Sequence, residues 1–186
     1  MLIAQVTDTH VGFRPDSPDR VRAVLDWLLA MEPRPDVLVV TGDVADHGLP
    51  EEYLLARETF AAWPGEVLWC PGNHDSRAAM REHLLNLPTG ASLNVARTVG
   101  GTHLILLDSI LEPHDVAPDS VQLLTALPGG TPRIDAGRLS DNALAFLAAG
   151  LAEHPEPTIV CLHHPPVPID SALMDPIMLE NPEPLA

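Results

Sequence analysis

Four short polar clusters in this 186-residue chain hold side chains able to bind metal ions or move protons. Asp8 and His10 stand in "TDTH", Asp43 in "TGDVAD", Asn73, His74 and Asp75 in "PGNHD", and His163 with His164 in "LHHPP". Carboxylate, imidazole and amide donors suit Mn, Fe, Co or Zn better than a thiolate set would. Two such ions sharing one carboxylate sit ~3.5–4 Å apart and can clamp a phosphoryl group between them. Taken singly, each cluster has a plainer reading. Asn and Asp favour turns through their own local hydrogen bonds, a carboxylate can cap a helix, and a histidine can simply be packed.

The elements that must position these residues are legible around them. "LIAQV" (2–6), "VLVV" (37–40), "EVLWC" (66–70), "HLILL" (103–107) and "TIVCL" (158–162) are short and rich in Val, Ile and Leu. They read as buried strands, parallel in the main. "SPDRVRAVLDWLLA" reads as a helix with Ser17 as cap, Pro18 in the first turn, and Val21, Val24, Leu25 and Leu28 on one face. "PEEYLLARETFAAW" and "SRAAMREHLLNL" read as two more. "SDNALAFLAAGLAEH" opens with Ser140 and puts Leu144, Leu147, Ala148 and Leu151 on one stripe. Strand and helix in alternation predict an α/β layered domain. The Pro- and Gly-rich stretch from 111 to 139 reads as a long surface loop.

Each polar cluster follows a predicted strand, and open α/β sheets bind ligands outside the carboxyl ends of their strands. Asp8 and His10, two apart on an extended segment, are expected to share a face and grip one ion together. Gly42 and Gly72 let the backbone pass close to a crowded centre. Four clusters, each at a strand end, are together a far more specific signal than any one of them.

The formal charge of −16 argues against a duplex nucleic-acid or membrane-surface binder, both of which meet phosphates with basic patches. An acidic protein handling a phosphorylated substrate needs positive charge from elsewhere, and bound metal ions supply it. With 46% hydrophobic residues the chain can build a core as one domain. Cys70 and Cys161 read as buried free thiols. The opening "MLIAQVTDTH" starts a strand at once, without a signal peptide, and no apolar stretch is long enough to span a membrane. A cytoplasmic, reducing location is the expectation.

"DTH", "GD", "GNHD" and "HHPP", in this order, resemble the calcineurin-like metallophosphoesterase family. "GDVADHGLPEEYLLAR" and "LHHPPVPI" are similar to its class III cyclic nucleotide phosphodiesterase and glycerophosphodiesterase branch. The resemblance covers nearly the whole chain. It implies an α-β-β-α sandwich over 1–186 with two divalent metal ions (Mn, Fe, Co or Zn). It further implies hydrolysis of a small phosphodiester, a 3′,5′-cyclic nucleotide or a glycerophosphodiester, by a metal-bound hydroxide. Carried over, Asp8 and His10 bind the first ion, Asp43 bridges, and Asn73 and His163 bind the second. His74 lies beside the phosphate as proton donor or charge stabiliser, and His74 and His164 flank the substrate.

The sequence departs from the family in one respect. The later Gly-x-x-His or Gly-His-x-His motif, whose histidines coordinate both metals, does not follow "LHHPP". Asn181 and Pro182 read as the cap and first turn of a helix that has no body. These features predict a chain truncated at its C-terminal side, with an open face that a homo-oligomeric partner covers or that leaves the fold poorly stable. A rival reading follows: an inactive or metal-deficient fragment with an interaction or regulatory role. Among the remaining polar residues, Asp75 reads as the cap of the next helix, and Asp46 and His47 as substrate entrance or solvated loop. His83, His103, His114 and His154 read as surface, packing or loop. Trp27, Trp63 and Trp69 read as core or edge packing.

Overall fold

Alternate residues of the second strand face different layers, and this fixes the architecture. The computed structural model describes residues 1–111, 124–125, 133–172 and 174–186. Strands β1 (Ile3–Val6), β2 (Val37–Thr41) and β3 (Val67–Cys70) form a parallel sheet in the order β1-β2-β3. In β2, Leu38 and Val40 join a core with helices α1 (Ser17–Leu29) and α2 (Pro50–Phe60), through Leu25, Leu28, Tyr53 and Phe60. Val37 and Val39 point the other way, against Leu104 and Leu106 of the second sheet. Side chains two apart on a strand share a face, so one strand serves both cores.

The second sheet runs β4 (Val95–Val99), β5 (Thr102–Leu106), then β8 (Thr158–Cys161). Strand β8 is parallel to β5, and β4 is antiparallel to it. The same alternation repeats: Leu104 and Leu106 face the first sheet, while Ile105 packs with Leu139, Ala143 and Leu147 under helix α4 (Asp141–Glu153). The result is helices, sheet, sheet, helix, the α-β-β-α order expected. Between Cys70 and β4 lies α3 (Arg77–Ala79), which widens into a π-type turn at Met80–Leu84. A short antiparallel pair, β6 (Leu124–Thr125) and β7 (Arg133–Ile134), sits within the stretch read as a loop. Most of that stretch, with His114, lies outside the described residues.

Every apolar run read as a strand forms one. Strand β4 lies outside the five apolar runs, and Gly100 and Gly101 join it to β5 with φ of 54° and 78°, the paired left-handed turn that closes two-residue hairpins. Several local readings need correction. Asp16 occupies the N-cap of α1, and Ser17 is its first, buried residue. Val24 is exposed, so the buried face is Val21, Leu25 and Leu28. In α4 the stripe shifts to Ala143 and Leu147, leaving Leu151 half exposed. Asn181 starts no helix: its amide pairs both ways with Leu139, accepting from the backbone N–H at 2.9 Å and donating to the carbonyl at 2.9 Å. Only a 3-10 turn, Glu183–Leu185, follows. On the edge strand β8, Ile159 stays exposed on the inter-sheet side.

Ser140 caps α4 as expected, its Oγ accepting from the Ala143 N–H at 3.2 Å. Ser140→Ala is predicted to cost about 1 kcal/mol. Urea unfolding would show it as a lower midpoint with an unchanged slope.

Candidate metal centre

Parallel strands bring their C-terminal ends to one edge, and the loops after β1 and β2 are joined there by their backbones. Asp8 N–H donates to the Gly42 carbonyl at 3.2 Å, His10 N–H to Asp43 at 3.0 Å, and Val11 N–H to Val44 at 2.9 Å. Asp46 N–H returns a bond to Val11 at 3.0 Å. Asp8, His10 and Asp43 themselves have φ of 54°, 40° and 50°. These left-handed conformations are costly for residues with a Cβ and persist where the surroundings enforce them. Asp8 and His10 therefore converge through a tight left-handed turn beyond β1, not through strand alternation.

The loop after β3 is fastened to the loop after β2 by Asp75. Its carboxylate accepts from the backbone N–H groups of Val44 (3.2 Å), Ala45 (3.1 Å) and Gly72 (2.9 Å), and from the Tyr53 hydroxyl (3.0 Å). Burial pushes its pKa up, and the backbone bonds pull against that shift. The cap of α3 is Ser76, whose Oγ accepts from the Ala79 N–H at 3.3 Å. Asp75 thus ties loops together where a helix cap was expected. Gly72 is required here, because a Cβ on it would lie 2.3 Å from Asp43 Oδ1.

Three histidines converge on Asp43, and each is oriented by its other nitrogen. His10 Nδ1 donates to Asp46 Oδ1 at 2.9 Å, His74 Nδ1 to the Asp46 carbonyl at 2.8 Å, and His163 Nδ1 to the Thr41 carbonyl at 2.9 Å. Carbonyl and carboxylate oxygens only accept, so Nδ1 carries the proton and Nε2 is left facing inward. Fixing a histidine by its second nitrogen is the usual outer support of a metal ligand.

The two oxygens of Asp43 divide between these rings. Oδ2 lies 3.6 Å from His10 Nε2 and 3.8 Å from His74 Nε2, while Oδ1 lies 3.5 Å from His163 Nε2. Asp8 Oδ1 is 3.8 Å from His10 Nε2. Among the described residues, two donor groups of metal-binding size result, and they share Asp43: His10, Asp43 and His74, and Asp8, Asp43 and His163. His74, read as a substrate-facing residue, is thus drawn in as closely as the expected ligands.

Asn73 completes the second group. Its Oδ1 lies 3.0 Å from His163 Nε2, and its Nδ2 donates to Asp135 Oδ1 at 3.2 Å. With His163 Nδ1 committed to Thr41, two acceptors face each other across 3.0 Å. With the amide in this orientation, a cation between them would satisfy both acceptors. The donor set is carboxylate, imidazole and amide. Both cysteines stand apart from it, Cys70 packed between the sheets with its thiol pushed up by burial. The residues present fit divalent metal.

Other polar residues take supporting places. Buried Asp46 holds His10, and His47 Nδ1 sits 2.8 Å from Glu52 Oε1 and 3.3 Å from Asp46 Oδ2. His164 is not brought into the cluster. It is 2% exposed, 2.7 Å from Ser109 Oγ, and desolvation lowers its pKa to about 3. A buried neutral imidazole cannot reach or protonate a substrate there. Asp135 was not singled out from sequence, since nothing local marks it.

The electrostatics are set by carboxylates and imidazoles packed together. The His10 imidazole beside Asp8 lowers that carboxyl to about 2, and Asp8 raises His10 in return. Burial raises Asp43 to about 6, with the His163 charge pulling the other way.

A family model described as calcineurin-like phosphoesterase matches residues 1–185. A glycerophosphodiester phosphodiesterase of Enterobacter lignolyticus is 33% identical, over 97% of this chain and 63% of its own length. A cAMP/cGMP dual specificity phosphodiesterase of Mycobacterium tuberculosis is 36% identical, over 90% of this chain and 50% of its own. A 3′,5′-cyclic adenosine monophosphate phosphodiesterase of Pseudomonas aeruginosa is 30% identical, over 100% of this chain and 62% of its own. The chain thus spans between half and two thirds of the length of these relatives.

Asp43 carries a testable cost. Its folded pKa stands above the 3.8 of a free carboxyl. The folded state therefore holds a proton that the unfolded chain has released, and stability falls as pH rises from ~4 through about 6. Asp43→Asn removes that penalty. In chelator at pH 7.5 the variant is predicted to be more stable by up to about 3 kcal/mol, and at pH 4 no different. Thermal melts at the two pH values check it; a variant less stable at pH 7.5 contradicts it.

Proposed function

The chain belongs to the calcineurin-like phosphoesterase family, and on that premise we propose that it hydrolyses small phosphodiesters, 3′,5′-cyclic nucleotides or glycerophosphodiesters, with two divalent ions chosen from Mn, Fe, Co and Zn. The observation that carries this reading is the division of Asp43, one oxygen toward His10 and His74, the other toward His163. Asp8 and His10 would hold the first ion, Asn73 and His163 the second, and Asp43 would serve both; Asp8 also lies within ligand range of the group with Asp43 and His163. The printed activities of the relatives supply the substrate class.

When bound, the ions acidify water and neutralise charge building on the phosphoryl oxygens. The chain's own residues place the rest. His74 Nδ1–H is tied to the Asp46 carbonyl, leaving Nε2 at the mouth of the first donor group. As the P–O bond to the leaving group breaks and that to water forms, His74 in its imidazolium form, protonated on both nitrogens, would give its Nε2 proton to the departing alkoxide and keep Nδ1–H on the Asp46 carbonyl. Asp46 fixes both His10 and His74 and keeps their spacing, the rings meeting edge to face at 4.4 Å. His164 stays beneath as packing. No helix among the described residues is long and apolar enough to cross a membrane. Free Cys70 and Cys161 accord with a reducing, cytoplasmic location.

The test is hydrolysis by chelated protein before and after addition of Mn, Co, Fe or Zn, first on bis(p-nitrophenyl) phosphate, then on cyclic nucleotides and glycerophosphodiesters. Turnover should depend on metal, and His74→Ala should lower kcat by about 10²–10⁴. Metal uptake without hydrolysis of any of these would favour the inactive-fragment reading.

A further inference from the structure

A primary amide has a donor end and an acceptor end of nearly the same shape, so packing alone does not decide which end of Asn73 faces the metal centre. The polar groups around it do. On one side stands His163 Nε2, 3.0 Å from Asn73 Oδ1. On the other stands Asp135, whose carboxylate accepts the Nδ2–H at 3.2 Å. A carboxylate offers no hydrogen to Oδ1. Reversing the amide would turn its oxygen onto the anion and its NH₂ onto Nε2. The NH₂ group would then satisfy His163 without any cation, and the second ion would lose a ligand.

Asp135 can do this because its loop is anchored independently of the metal centre. Arg138 N–H donates to the Ser109 carbonyl at 2.9 Å, Gly137 N–H to Met178 at 3.1 Å, and Glu180 N–H to Gly137 at 2.8 Å. Leu139 is held both ways by the Asn181 amide. Gly137 packs flat against His164, since a Cβ there would lie 2.2 Å from the ring. One rigid loop thus abuts the neighbour of one ligand and grips the other.

We propose that Asp135 is a positioning residue that locks Asn73 with its oxygen toward the second ion, and so makes that site selective for a cation over a hydrogen bond. This rests on the reading of Asn73 and His163 as ligands of one ion. Removing an outer partner of a ligand typically costs 10–100-fold in metal affinity. Asp135→Ala should therefore weaken the second Mn²⁺ by about 10–100-fold while changing the first less than ~3-fold. Asp135→Asn, which keeps an acceptor oxygen and loses the charge, should recover most of the second affinity.

The experiment titrates Mn²⁺ into the full chain and both variants by calorimetry, and follows the Asn73 side-chain ¹H–¹⁵N pair of the metal-free proteins by NMR. A loss confined to the second ion in Asp135→Ala, rescued in Asp135→Asn, with the Asn73 pair shifted only in the alanine variant, supports the proposal. Equal losses in both variants would make the effect one of charge and overturn it. An unmoved Asn73 pair overturns it whatever the wild type binds, because that signal needs no metal. Wild-type protein that takes up no Mn²⁺ instead removes the ligand reading beneath it.

Discussion

The candidate metal centre depends on one buried carboxylate, Asp75, that belongs to neither donor group. Asp75 collects three backbone N–H groups and the Tyr53 hydroxyl, and through them fixes the loop after β2, the loop after β3 and helix α2 relative to one another. An unpaired carboxylate inside a protein would be prohibitively costly. Charge-assisted bonds from backbone donors turn that cost into geometry. Asp43 precedes one of those donors and Asn73 follows another. The distance between Asp43 and Asn73 is therefore set by a carboxylate neither of them touches.

The site built on that hinge works against the stability of the fold. Asp8, His10 and Asp43 hold left-handed backbone conformations, and Asp43 is buried among other acids with its ionisation disfavoured. Asn73 and His163 present two acceptors to each other. Positive charge would relieve the last two, the Asp43 carboxylate and the facing acceptors, while the backbone strain is carried by the fold. Strain of this kind gathers at functional sites and persists because the surroundings hold it. Here those surroundings are the backbone bonds between the loops after β1 and β2, the Asp75 bonds, and the anchored loop of Asp135.

Much of this was legible from local sequence, and what was not follows a physical pattern. Apolar runs of Val, Ile and Leu located five strands, and the polar residues behind four of them located the centre. Strand β4 was missed because "VARTV" alternates weakly; Gly100-Gly101 was the available signal. Val24, Leu151 and Trp27 are exposed because helical periodicity shows that a face exists, but not where its edge falls. Asp75 was read as a cap from its place before a helix, while its true donors lie 30 and 31 residues earlier as well as three. Asp135 lies 62 residues beyond Asn73 and could not be paired with it from spacing. His103, read as packing, is buried and stacked on His154 at 3.9 Å. Motif spacing conveys which donors exist; the partners that orient them come from the fold.

The central claim is that Asp43 serves two ions at once, one on each oxygen. Crystals grown with Mn²⁺ and measured at its absorption edge test it most directly. Two anomalous peaks ~3.5–4 Å apart, with Asp43 Oδ2 bound to the ion beside His10 and Oδ1 to the ion beside His163 and Asn73, are the predicted result. A single peak, or two peaks neither of which contacts Asp43, would contradict it.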